Sequence, residues 1–182
     1  MTMSKINTRF HFITALLVAM LAAMSFAFSA SYKTEAVSPP ICDSLQIPEL
    51  NKKIVEYIKG QVRYKVGQGE AWDLAAEALN AVEAKWDNEY KFGKLVDYKN
   101  ECVFPGDIIY MQNVRIEYKD GRTLYTEKLP EHIAIVYEVE EAEDYTVAEQ
   151  NTGRLGQKVG LTPLALKNIK SGKIKIYRPQ PK

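Results

Sequence analysis

Four short segments of this chain carry residue types that perform acyl transfer when a fold brings them together. The first is Gly67-Gln68-Gly69-Glu70-Ala71-Trp72-Asp73, at the start of the chain's clearest amphipathic pattern. The others are Pro105-Gly106-Asp107, His132-Ile133-Ala134-Ile135-Val136 and Glu149-Gln150-Asn151-Thr152-Gly153. A helix N-terminus has unpaired N–H groups and the positive end of a dipole, so a cysteine placed there ionises readily to a nucleophilic thiolate. A nearby histidine takes the thiol proton and returns it to the leaving amine, and a third polar group fixes the imidazole tautomer. Glu149 and Asn151 are two apart, so on a strand both would point to one face, as a pair orienting one imidazole requires. The helix start, in contrast, offers a methyl group at Ala71, and no serine or threonine lies between Val66 and Ala84.

The elements that must hold these segments can be read from periodicity. Leu50, Ile54, Tyr57 and Ile58 fall on one face of a helix starting at Pro48, with Gly60 as its stop. A second helix begins after Gly69, carries Trp72, Ala75, Ala76, Leu79 and Val82 at helical spacing, and is expected to end near Trp86. Beyond Gly93 the pattern turns to strands. Asp107 to Tyr118 is the first, Lys119-Asp120-Gly121-Arg122 a hairpin turn, and Thr123 to Glu127 the return strand. His132 to Glu138, Tyr145 to Gln150 and Lys173 to Tyr177 read as three more strands, and Leu161 to Ile169 as a short helix. Helices first and an antiparallel sheet afterwards predict an α+β layer fold. There is no internal repeat and no low-complexity tract.

The order and spacing of these motifs, closed by Ile176-Tyr177-Arg178-Pro179, resemble the CHAP and NlpC-type amidases and peptidases, cysteine enzymes of papain-like fold. The details Val66-Gly67-x-Gly69-Glu70 and Tyr177-Arg178-Pro179 look closest to the cysteine-proteinase-fold domain of fungal actin-patch proteins and its secreted bacterial relatives. The resemblance spans roughly Lys65 to Pro179 and implies N-terminal helices packed on an antiparallel sheet. It puts Ala71 in the nucleophile position, gives His132 the general-base role, makes Glu149 the orienting group and Asn151 a supporting member. Alternative readings of the same residues are a histidine satisfied at a sheet edge and a polar strand end turning into a loop. Ala71 departs from the family pattern and puts hydrolysis itself in question.

Around this constellation, Glu70 either lines the cleft or serves as a first-turn carboxylate that stabilises the helix dipole. Trp72 and Trp86 read most simply as core residues, with Trp72 also placed to contact a ligand. Gln150, between Glu149 and Asn151, would face the other way on a regular strand. Asp107 reads as structural, fixing entry into its strand. Cys102 lies far in sequence from any helix start or histidine, which argues for a disulfide or core role over nucleophilic chemistry. No cofactor is implied, and beyond residue 30 one histidine, His132, with two distant cysteines gives no metal-ligand spacing.

Residues 1–30 read as a secretory signal peptide: Lys5 and Arg9, an apolar run of about 17 residues from Phe12 to Phe28, then Ala27, Ser29 and Ala30, with cleavage after Ser29 or Ala30. The alternative is an uncleaved membrane anchor. Residues 31–47, with Ser38-Pro39-Pro40, read as a linker or extended arm, and 48–182 as the domain. Without Lys5 and Arg9 the remainder has 22 basic and 23 acidic residues, which offers no attraction for nucleic acid or an anionic membrane surface. Cys42 and Cys102 form either one disulfide or two buried thiols; a disulfide would close a loop of about 60 residues and contribute roughly 4 kcal/mol. Three functions are therefore in play: a secreted or periplasmic binding module for a peptide or peptidoglycan fragment, a cysteine amidase or peptidase represented by a Cys-to-Ala form, or a structural domain that meets a partner through its surface.

Overall fold

The computed structural model describes residues 47–182. The expected signal peptide, Cys42 and nearly all of the arm lie outside the described residues. Helix α1 spans Glu49–Gln61 and α2 Ala71–Ala81. The strands are β1 (Ala84–Lys85), β2 (Lys94–Val96), β3 (Ile108–Asp120), β4 (Thr123–Glu141), β5 (Asp144–Glu149), β6 (Gly160–Ala165), β7 (Ile169–Arg178) and β8 (Gln180–Pro181). A 3-10 turn at Leu166–Asn168 joins β6 to β7. Six strands form one antiparallel sheet in the order β2-β7-β3-β4-β5-β6, and β1 pairs with β8. The expected α+β class is what the chain adopts.

Both faces of the sheet centre are covered, which explains the unbroken apolar run Ile133–Val136. Ile133 and Ile135 point with Ile108 and Tyr110 towards α1 and α2, meeting Ile54, Ile58, Leu74 and Leu79. Ala134 and Val136 point the opposite way with Ile109 and Met111, towards Val103, Leu164 and Leu166.

Three expectations need correction. Helix α2 stops at Ala81, short of Trp86, because Glu83 takes a left-handed φ of 56° and the chain turns into β1. Trp86 instead stacks on Phe92 and meets Trp72 at a tilt, with centroids 6.1 and 5.6 Å away. Thr123 to Glu127 and His132 to Glu138 are one continuous 19-residue strand, β4. Pro130 does not end it: the ladder with β3 skips only the position of Asn113 and Pro130 and resumes at Val114 opposite Leu129. The helix expected over Leu161 to Ile169 is strand β6 followed by the 3-10 turn. Here Thr162 and Leu164 are buried while Leu161 and Pro163 are exposed, a period of two, and Pro163 sits on an edge strand.

Candidate functional site

The loop before α2 is wound around one carboxylate. Asp73 Oδ2 accepts hydrogen bonds from the backbone N–H groups of Gln68 (2.8 Å) and Glu70 (3.0 Å). Gly67 makes this possible: its φ is 57°, and a Cβ there would lie 2.7 Å from Asp73 Cγ. The helix therefore starts at Ala71, with Glu70 as its N-cap residue.

His132 lies on β4 and is 3% exposed. Its Nε2 is 2.8 Å from Glu149 Oε2 at the end of β5, and the Thr162 hydroxyl donates to Glu149 Oε1 from β6. Three neighbouring strands thus each contribute one member. An ionised carboxylate only accepts, so Nε2 carries a proton, and in the neutral ring Nδ1 is the nitrogen left with a lone pair. Burial opposes ionisation of Glu149, but the His132 hydrogen bond and charge, the Thr162 hydroxyl and Arg154 outweigh it and hold the carboxyl below its ordinary range. A depressed folded-state value means that stability from Glu149 is complete above about pH 4.5 and is lost as pH falls through that lower value. Melting temperature measured from pH 7 to pH 3 should therefore fall more steeply for the native chain than for Glu149→Gln.

Glu149 and Asn151 do not share a face as expected. The strand ends at Glu149, Asn151 has a left-handed φ of 63°, and its amide donates to Glu70 Oε2 at 2.6 Å. Gln150 does turn away from Glu149, as expected of the residue between, and it is fully buried. Its Nε2 donates to the carbonyls of Val66 (3.0 Å) and Glu70 (2.6 Å), and its Oε1 accepts from Val66 N–H at 3.2 Å. Gln150 therefore ties the loop before α2 to the strand that carries Glu149, rather than facing the cleft. Gln150→Leu would remove the side-chain partner of two buried backbone groups of Val66 and of the part-buried Glu70 carbonyl, and urea denaturation should register a loss of roughly 2–3 kcal/mol.

Glu70, Ala71, Trp72, His132 and Asn151 line one cleft of about 660 Å³, together with Tyr90, residues 126–133 of β4 and the 151–153 turn. Glu70 is both the N-cap residue of α2 and part of the cleft wall. Trp72 is half-buried; its Nε1 donates to the Glu89 carbonyl at 3.2 Å, which secures the loop carrying Tyr90. Among the described residues no group of side chains has the arrangement to hold a metal ion.

Asp107 stands apart from the cleft. It accepts from Arg178 at 2.8 and 3.2 Å, from Asn51 Nδ2 at 2.8 Å and from Phe104 N–H at 3.0 Å. Burial pushes its carboxyl up, while Arg178 and the other donors pull the opposite way. Gly106 allows the close approach, since a Cβ there would sit 2.5 Å from the Asn51 carbonyl. Both Asn51 Nδ2 protons are used, on Pro105 O and Asp107, which leaves its buried Oδ1 without a partner. Arg178 also donates to the Cys102 carbonyl and covers the Phe104 ring. Cys102 is not a free thiol; Cys42 lies outside the described residues.

Sequence reading missed Thr162, because its segment was taken as helical; read as a strand, Thr162 alternates inward beside Glu149. It also missed the partners of Asp107. Asn51 sits among polar helix residues with nothing to mark it, and Arg178 was seen only as part of a terminal motif.

No curated protein is recognisably similar to the chain. Among solved structures, the crystal structure of Ly7917 aligns with 15% identity and a TM-score of 0.42, covering 70% of this chain and 62% of that one. The crystal structure of Ly7917 with the hydrolyzing product of MDP aligns with 16% identity and a TM-score of 0.43, covering 71% and 62%. In both cases this chain spans less than two thirds of the other. The model of the AIM3/BBC1 cysteine proteinase-fold domain matches residues 48–182, and with two helices on an antiparallel sheet in the papain-like arrangement, this chain belongs to that family.

Proposed function

We propose that the chain is an exported binding module that holds a peptide or cell-wall fragment in its cleft without hydrolysing it. The observation that carries this reading is the juxtaposition in one cleft of the oriented His132–Glu149 pair and a helix N-terminus whose first residue is Ala71. An alanine supplies no nucleophile, yet helix N–H groups remain suited to a carbonyl or carboxylate. Titration calorimetry with peptides and soluble peptidoglycan fragments should show binding that weakens roughly fivefold or more in His132→Ala and Asn151→Ala, as loss of one or more hydrogen bonds to ligand implies. Unchanged affinity in both variants would sink the idea, and so would product release by the unmodified chain.

The second reading, an amidase or peptidase represented by its Cys-to-Ala form, draws support from the His132 tautomer, which presents Nδ1 as an acceptor. Restoring a thiol separates the two. Export rests on the signal-peptide pattern and predicts a mature N-terminus at Ala30 or Ser31, with Cys42 paired to Cys102; thiol labelling of the exported protein before and after reduction tests that pairing.

A further inference from the structure

The strand edge facing the cleft is open. Residues Thr126–Ile133 of β4 form one wall, have β3 on one side, and have no strand on the other among the described residues, since pairing with β5 starts only at Ile135. The opposite wall is the start of α2 and the 151–153 turn. Eight strand residues extend about 26 Å, the length of an extended segment of seven or eight residues. Lys128 adds a charge to this edge, a device that discourages indiscriminate pairing.

Charge narrows the occupant. Three carboxylates, Glu70, Glu127 and Glu131, face this space against the single ammonium of Lys128, although the chain as a whole carries +1. Glu131 is held in place by two phenols: Tyr90 donates at 3.1 Å and Tyr110 at 2.5 Å. Those rings stack at 5.1 Å, and Tyr90 is 41% exposed. A fixed carboxylate beside an exposed aromatic ring suits an ammonium or guanidinium group.

The geometry points to an extended, cationic peptide segment as the occupant. It adds as a strand along Thr126–Ile133, sets a lysine or arginine against Glu131, and passes His132 and Ala71. This rests on the cleft being a binding site and names what that site takes.

The probe is a blocked octapeptide of alternating threonine and valine with one central lysine, followed by fluorescence anisotropy at low salt. Matched peptides carry glutamate or norleucine at the central position. Two further versions carry N-methyl groups on the amides of one edge or of the other. The lysine peptide is expected to bind roughly tenfold tighter than the glutamate peptide, with the preference falling below about threefold in Glu131→Gln. N-methylation of one edge should weaken binding by roughly tenfold, and methylation of the other should not. Glutamine at position 131 keeps an acceptor for Tyr90 and Tyr110, so Glu131→Gln should still melt cooperatively as a folded chain. Equal affinity for all three peptides, an undiminished preference in Glu131→Gln, or indifference to both methylation patterns would overturn the proposal. If no peptide binds but a soluble muropeptide does so in a His132-dependent manner, this inference fails and the binding-module reading stands. If neither binds through His132, both fail.

Discussion

Ala71→Cys should alkylate about ten times faster at pH 6 than a free cysteine, once Cys42 and Cys102 are blocked or paired. A free thiol with a pKa near 8.5 is only about 0.3% ionised at that pH, whereas one lowered to about 6 is half ionised. The gain of roughly 160-fold in thiolate is offset about thirteenfold by the weaker nucleophilicity of a more acidic thiol. Two features supply the shift: the N–H groups at the start of α2, and the oriented imidazole of His132 across the same cleft. Adding His132→Ala should return the alkylation midpoint towards 8.5, and Glu149→Gln should leave it between the two, because the ring then loses its carboxylate partner. A midpoint near 8.5 in the first variant would show that helix and imidazole do not act on one atom; the amidase reading would go. A reactive thiol would instead call for an assay on peptidoglycan with the same variant.

The largest stability loss is expected far from the cleft. Arg178→Ala leaves the Asp107 carboxylate fully buried without its counter-charge, a change that costs about 3–5 kcal/mol and should lower the melting temperature by roughly 10–20 °C. The sign of its pH dependence is opposite to that of Glu149. Burial already raises the Asp107 carboxyl, and losing Arg178 raises it further, so the penalty is felt above the ordinary carboxylate range and relieved as pH falls. The gap between variant and native chain should therefore narrow in acid. Combining Arg178→Met with Asp107→Asn removes both charges and should recover more than half of the loss, measured as coupling in a double-mutant cycle. Additive losses would show that the pair contributes nothing as a pair.

Periodicity carried the helices and the central strands because burial in this fold is regular there. Ile54 and Ile58 recur at helical spacing on α1, and Ile108 to Met111 alternate between two buried faces. Strand edges were harder. The segment with Pro163 reads as helical, yet proline is harmless on an edge strand, and only the sheet order reveals that β6 is one. In the site, the juxtaposition of His132 and Glu149 follows from two strand ends that meet, which motif order suggests. The divergence of Asn151 does not, since it depends on one left-handed residue within the turn that Asn151 and Gly156 close by a backbone hydrogen bond. Gln150 illustrates the same limit: its orientation followed from alternation, but its three backbone partners come from a loop 80 to 84 residues earlier.

The single register that β4 keeps with β3, from Thr123 opposite Asp120 to Ile135 opposite Ile108, has a consequence for length variation. Two residues inserted at the Gly121-Arg122 tip would lengthen the arm and leave His132 facing as it does, because side-chain alternation is preserved along the strand. Deleting any one of Leu129, Pro130 and Glu131 would rotate the imidazole to the far face and bring a neighbour into its place. The hairpin tip is thus the natural place for insertions in this domain, and the three positions before His132 the place that tolerates none.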